Sequence, residues 1–149
     1  MPVVRSAGII FFQETPRGRK YLVIRSSRDI PVRDEFWDFP KGELNKDEKG
    51  IDAAKREAKE EVGIEKFSLI PQFKETARYF TRKHGKSMLK FVALFLARTA
   101  TTKVKLSWEH DQYKWLSYEE AYELLSLKQM KETLLSAEKF LNCAHKSGL

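Results

Sequence analysis

Three glutamates near the middle of this 149-residue chain have the spacing to act together. Glu57, Glu60 and Glu61 stand at i, i+3 and i+4 within GIDAAKREAKEEVGI. In a helix that advances about 100° per residue, this spacing puts all three carboxylates on one face. Anions held so close repel one another, and the C-terminal end of the helix dipole disfavours them further. A divalent cation relieves both strains. Oxygen-only ligands suit hard Mg²⁺ or Mn²⁺, which keep some waters and share their sites with substrate phosphates. The plain alternative is a solvated acidic helix end.

These side chains depend on the elements that carry them. The pattern predicts a helix from about Gly50 to Val62, with Ile51, Ala54, Ala58 and Val62 as a narrow stripe docking on a sheet. Gly63 is set to cap it in the left-handed conformation, whereas Lys49 at the N-cap offers no acceptor. Upstream, Pro40 keeps Phe39 out of helical geometry, and Gly42 lets the backbone turn closely with its carbonyl facing the acids. Buried strands are expected at Ser6–Phe12 and Tyr21–Ile24, with a polar loop over Arg25–Glu35. Further strands are expected at Phe67–Ile70, Gln72–Thr81, Met88–Ala97 and Tyr113–Leu116, with a basic hairpin tip at Arg82–Lys86. Two helices, Tyr118–Leu125 and Gln129–Cys143, follow. This order implies an α/β (α+β) domain, a mixed sheet covered on both faces.

Composition bounds the rest. The length fits one domain spanning residues 1–149, and 42% hydrophobic with 33% charged residues fits a globular chain rather than a disordered one. The longest apolar run, Phe91–Ala97, is about a third of a membrane span, so no membrane association is expected. Arg5 interrupts the start, and no signal peptide is expected. The single Cys143 closes no intrachain disulfide, which fits a cytoplasmic location. A net charge of +7 points to anionic partners without choosing among nucleotides, RNA, inositol phosphates and an acidic membrane surface.

Gly42, five residues, Glu48, seven residues, Arg56-Glu57, then Glu60-Glu61 and Gly63-Ile64 complete the pattern Gx5Ex7REUxEExGU, where U is aliphatic. In this the chain resembles the Nudix hydrolases, although Ala58 stands where they often carry a larger aliphatic residue. The resemblance implies an α/β/α sandwich and metal-dependent hydrolysis of a nucleoside diphosphate linked to another group. It also implies that Glu57, Glu60 and Glu61 hold Mg²⁺ or Mn²⁺ with Gly42, that each is a candidate general base, and that Glu48 and Arg56 clamp loop to helix.

The flanks WDFPKG, SWEH and YKWL, with Glu120-Ala121 and Phe140-Leu141, are similar to those of asymmetric diadenosine tetraphosphate hydrolases. That likeness implies cleavage of a small-molecule dinucleoside oligophosphate to ATP and AMP by water attack on phosphorus, with no obligate protein partner. By it, Glu109 joins the metal site, Lys41 and Lys86 contact the oligophosphate, and Tyr79 stacks on an adenine. Tyr113 is either the second wall of a base clamp or core, and His110 either meets a phosphate or is structural. The Arg25–Glu35 loop lies where such enzymes contact the second nucleoside. Three other readings share the motif: an RNA 5′ pyrophosphohydrolase, a diphosphoinositol polyphosphate phosphohydrolase, and a non-catalytic RNA-binding domain. The last predicts a damaged acidic face, and here every acid is present.

Overall fold

A computed structural model of the chain describes residues 2–26 and 35–146. In order it contains β1 (Val3–Thr15), β2 (Gly18–Ser26), β3 (Trp37–Asp38), β4 (Lys41–Glu43), α1 (Gly50–Val62), β5 (Ser68–Leu69), β6 (Glu75–Lys83), β7 (Lys86–Arg98), β8 (His110–Leu116), α2 (Tyr118–Leu124) and α3 (Lys128–Lys146). The strands form one mixed sheet in which β1 runs parallel to β7 and the other pairings are antiparallel.

Side-chain alternation sorts the sheet into two faces. Ile10 and Phe12 of β1, Tyr21 and Val23 of β2, and Val92, Leu94 and Leu96 of β7 pack with Leu125, Met130, Leu134 and Ala137 from the C-terminal helices. Ala7, Ile9 and Phe11, with Leu22 and Ile24, pack instead with Ala53, Ala54, Ala58 and Val62 of α1. Helices thus cover both faces, the α/β/α arrangement the sequence implied. Ala58 is fully buried, so its small size lies in the helix–sheet seam. Tyr21 ties the α3 layer down: its hydroxyl donates to Glu138 Oε1 at 2.7 Å, and Arg19 Nη1 donates to the same oxygen at 2.8 Å.

The sheet splits where the acids gather. The Phe12–Thr15 end of β1 pairs with β2, but Ser6–Gly8 pairs with β4. β2 diverges to pair with β3 and β8. Trp37–Glu43 fills the opening, anchored by the Ile9 N–H donating to the Pro40 carbonyl at 3.2 Å. The approach needs Gly8, because a Cβ there would overlap the Pro40 carbonyl oxygen and Lys41 Cβ. Backbone cannot yield as a side-chain tip can. Gly8→Ala is therefore expected to cost about 1–3 kcal/mol, read as a lower urea midpoint with unchanged m-value.

Three expectations change. Gln72 is no strand residue: its φ is 68°, in the turn after Pro71, and β6 begins only at Glu75. Trp37–Asp38 and Lys41–Glu43, where no strand was expected, form two short strands. β8 begins at His110, three residues before the expected start. Of the Arg25–Glu35 loop, residues 27–34 lie outside the described residues. No helix among the described residues is long and apolar enough to cross a membrane.

Candidate active site

α1 runs over the expected Gly50–Val62, with Gly63 at φ 69° closing it and its N–H donating to the Lys59 carbonyl. Lys49 at the N-cap makes no side-chain capping bond, as its residue type required. Arg56 organises the acids around this helix. Its Nε and Nη2 donate to the two Glu48 oxygens at 3.0 and 2.9 Å, and Nη2 also reaches the Glu43 carbonyl at 3.0 Å. Its Nη1 donates to Glu57 Oε1 at 2.7 Å. This fork binds the 43–48 segment to the helix, and hydrogen bonding to Arg56 holds the Glu48 carboxyl down to about 2. The expected clamp is present.

Glu57 and Glu61 line a cavity of about 500 Å³ with Asp38, Lys41, Gly42 and Glu109. Glu61 is only 9% exposed, and its Oε1 accepts the Lys41 backbone N–H at 3.1 Å. Burial pushes its carboxyl up to about 8, and Glu57 adds to the rise. Burial also raises Glu57, with further contributions from Glu60 and Glu109. His110 lines the same cavity, with Nδ1 3.4 Å from Ser107 Oγ.

Glu60 keeps to the shared helix face but lies outside the cavity. Its side chain is 57% exposed, it does not line the cavity, and Arg56 Nη1 reaches it only at 3.4 Å. Among the described residues, no three His, Cys, Asp or Glu side chains converge on a ready-made metal centre. The donor set nonetheless fits a hard cation. Such ions are held through one or two carboxylates and completed by water and substrate oxygens. Glu57 and Glu61 supply two raised carboxyls, and Gly42 leaves a space that a Cβ would fill against Glu57. Ser6, lining the same cavity, has a buried hydroxyl with no hydrogen-bond partner among protein groups.

A second cavity of about 460 Å³ adjoins the first and shares Phe36, Lys41 and Lys90 with it. Tyr79 forms part of its wall. Lys41 Nζ lies 3.1 Å from Asp38 Oδ2, and Lys90 Nζ lies 5.9 Å from the Tyr79 ring centre. Burial lowers Lys90 to about 8, and the Lys41 charge lowers it further. Two lysines thus face each other where carboxylates give way to aromatic surface.

Lys90, Asp38 and Phe36 were missed by the sequence reading. Lys90 left a signal, a lone lysine inside the apolar run MLKFVALFLA. Lys86 and Tyr113 stand apart from the other expected substrate contacts. Lys86 is exposed beside the His84-Gly85 turn and lines neither cavity. Tyr113 is 39% exposed, so it is not core, and it lies opposite Ile24, which belongs to the α1-side core. Directly opposed residues share a face, whereas Tyr79 packs on the other one. Tyr113 lines neither cavity, whereas Tyr79 lines the second.

Comparison with known proteins agrees with this architecture. A NUDIX domain model matches residues 2–137. The chain is similar to the asymmetrical bis(5′-nucleosyl)-tetraphosphatase of Mus musculus, 31% identical over 93% of this chain and 95% of that one. Over a shorter stretch, 57% of this chain and 53% of the other, it is 33% identical to an RNA pyrophosphohydrolase of Nitratiruptor. A binary complex of a C. elegans Ap4A hydrolase superposes with a TM-score of 0.77 at 28% identity, covering 93% of this chain and 98% of that one. With the matched domain and the full-length likeness together, this chain belongs to the NUDIX family.

Proposed function

We propose that this chain hydrolyses a dinucleoside oligophosphate, diadenosine tetraphosphate to ATP and AMP, using Mg²⁺ or Mn²⁺. The observation that carries this reading is the pair of adjoining cavities, one carboxylate-lined and one aromatic, with Lys41 and Lys90 on their shared wall. A nucleotide with a multiply charged phosphate chain matches all three surfaces: base against Phe36 and Tyr79, phosphates over the lysines, reacting phosphorus at the acids. The names of the full-length relatives support the same substrate class.

Glu57, Glu61 and Glu109, with Gly42, would hold the cation. Once bound, it neutralises phosphate oxygens and makes water more acidic. The chain's own groups do the rest. Water oxygen bonds to phosphorus, the bridging P–O bond breaks, and ATP leaves with that electron pair while a carboxylate of α1 takes the proton. Arg56 fixes Glu57 at 2.7 Å and draws on Glu48 for its own orientation. Lys41, held by Asp38, and Lys90 offset charge on the departing phosphates. His110 faces the same cavity as a phosphate contact. Glu60, outside that cavity, serves by pairing with Arg56.

Tyr79→Ala is expected to raise KM by roughly one order of magnitude, about 1–3 kcal/mol of lost stacking, while metal affinity stays as in wild type. Steady-state kinetics checks it, and an unchanged KM removes Tyr79 from the base site. The overall reading is tested by product analysis with diadenosine tetraphosphate, RNA 5′ triphosphate and an inositol pyrophosphate in parallel. ATP plus AMP from the first substrate, with little turnover of the others, is the expected outcome. Preferential release of pyrophosphate from RNA would replace it with the RNA reading.

A further inference from the structure

The α1-side face of the sheet carries a surface that extends beyond the two cavities, with Phe80, Arg82 and Ser87 at its edge also lining the second one. Gly50, in the first turn of α1, stands over Ala93 and Phe95. Beyond that point the strands continue past the helix. One row across the sheet is Arg5–Phe91–Arg78, and the next is Val3–Leu89–Phe80. Arg82 opposes Ser87 in the row after. Alternation puts these side chains on the face opposite Ala77, Tyr79 and Val92, which pack toward α2 and α3. Phe80 is 67% exposed and Val3 50%, and the Arg5 guanidinium lies 5.2 Å from the Phe91 ring centre.

These rows contain three arginines and no carboxylate. A sheet surface bearing the exposed Phe80 ring and the half-buried Phe91 ring beside guanidinium groups has a specific chemical use. Bases without a pairing partner stack on the rings, and arginines meet the phosphates between them. Successive rows on one face are about 7 Å apart, two residues at roughly 3.4 Å each, close to the phosphate spacing of a stretched single strand. A duplex hides its bases and would leave the rings unused. An anionic membrane is met by deep apolar insertion, which a flat strand surface does not provide.

We propose that this face binds single-stranded RNA. Arg5, Arg78 and Phe91 line neither cavity, whereas Phe80 and Arg82 also line the second, so the Arg5–Phe91–Arg78 row is what separates this face from the substrate site. The test is fluorescence anisotropy of the full chain with a labelled oligoribonucleotide of about 12 nucleotides carrying a 5′ hydroxyl, in EDTA, so that neither metal nor a 5′ phosphate engages the acids. Binding is expected, and it weakens steeply as salt rises. The double variant Arg5→Ala/Arg78→Ala should bind at least tenfold more weakly, with wild-type circular dichroism and wild-type turnover of diadenosine tetraphosphate. Tyr79→Ala, in the second cavity, and Glu61→Gln, in the first, should both bind like wild type. Any of four results would overturn the proposal: no binding by wild type, unchanged binding by the double variant, a duplex bound as tightly as the single strand, or anionic phosphatidylserine vesicles bound in place of the oligonucleotide. Loss of turnover without loss of RNA binding would count against the hydrolytic reading alone.

Discussion

Glu61→Gln is expected to stay folded and to lose at least three decades of turnover, roughly 4 kcal/mol of barrier. The fold should survive because a Gln amide oxygen can still accept the Lys41 N–H that Glu61 Oε1 accepts at 3.1 Å. Stability at neutral pH should not fall either. The carboxyl stands at about 8 in the folded chain, above the ordinary carboxylate value, so its ionisation opposes folding as pH rises through neutrality. A neutral amide removes that cost. In EDTA, the variant should therefore match or exceed the wild-type melting temperature at pH 7, and any difference should vanish in acid, where both side chains are uncharged. Activity lost together with stability would mean that Glu61 is structural. Wild-type turnover would mean that it is idle.

Gly42→Ala is expected to lower kcat by about two decades while leaving the fold intact. A Cβ at this position would overlap the Glu57 carboxylate, and Gly42 does not have a positive φ, so the backbone itself accepts alanine. The flexible end of Glu57 must move, and Arg56, bonded to it at 2.7 Å, must follow. A displacement near 1 Å at a reacting centre costs about 10² in rate. The contrast with Gly8→Ala is diagnostic: the clash there is with backbone, and the loss falls on stability. Paired urea titrations and kcat measurements on the two variants separate these effects. Equal destabilisation with equal activity loss would contradict the assignment of Gly42 to the acidic cavity.

The local parts of this site were legible in the sequence. Glu48, Arg56, Glu57, Glu61 and Gly63 lie within one helix and its lead-in, so helical periodicity and capping chemistry set their relations. What was not legible depends on strands far apart in the chain. Lys41 and Lys90 meet only because β4 and β7 both pair with β1, and no local pattern encodes that. Lys86, an oligophosphate contact by resemblance, is placed by the hairpin register: His84 and Gly85 both have positive φ, as a two-residue type I′ turn requires, and this sets Lys86 opposite Lys83 and Tyr79 opposite Lys90. Tyr113 is likewise placed by a distant strand, since its partner Ile24 fixes its face. Glu60 illustrates the limit of i, i+3, i+4 reasoning. The helical face was right, but the cavity edge falls between Glu57 and Glu60, with side-chain exposures of 13% and 57%.

The central claim is that Glu57 and Glu61 are tolerated together because a divalent cation and an oligophosphate complete their site. Electron paramagnetic resonance of Mn²⁺ titrated into the purified chain, with and without a non-hydrolysable diadenosine tetraphosphate analogue, addresses it directly. Wild type should take up Mn²⁺, the analogue should tighten this uptake, and Glu57→Gln/Glu61→Gln should bind at least tenfold more weakly with or without it. Mn²⁺ left free in solution by wild type even with the analogue present, or bound equally by the double variant, would contradict the claim.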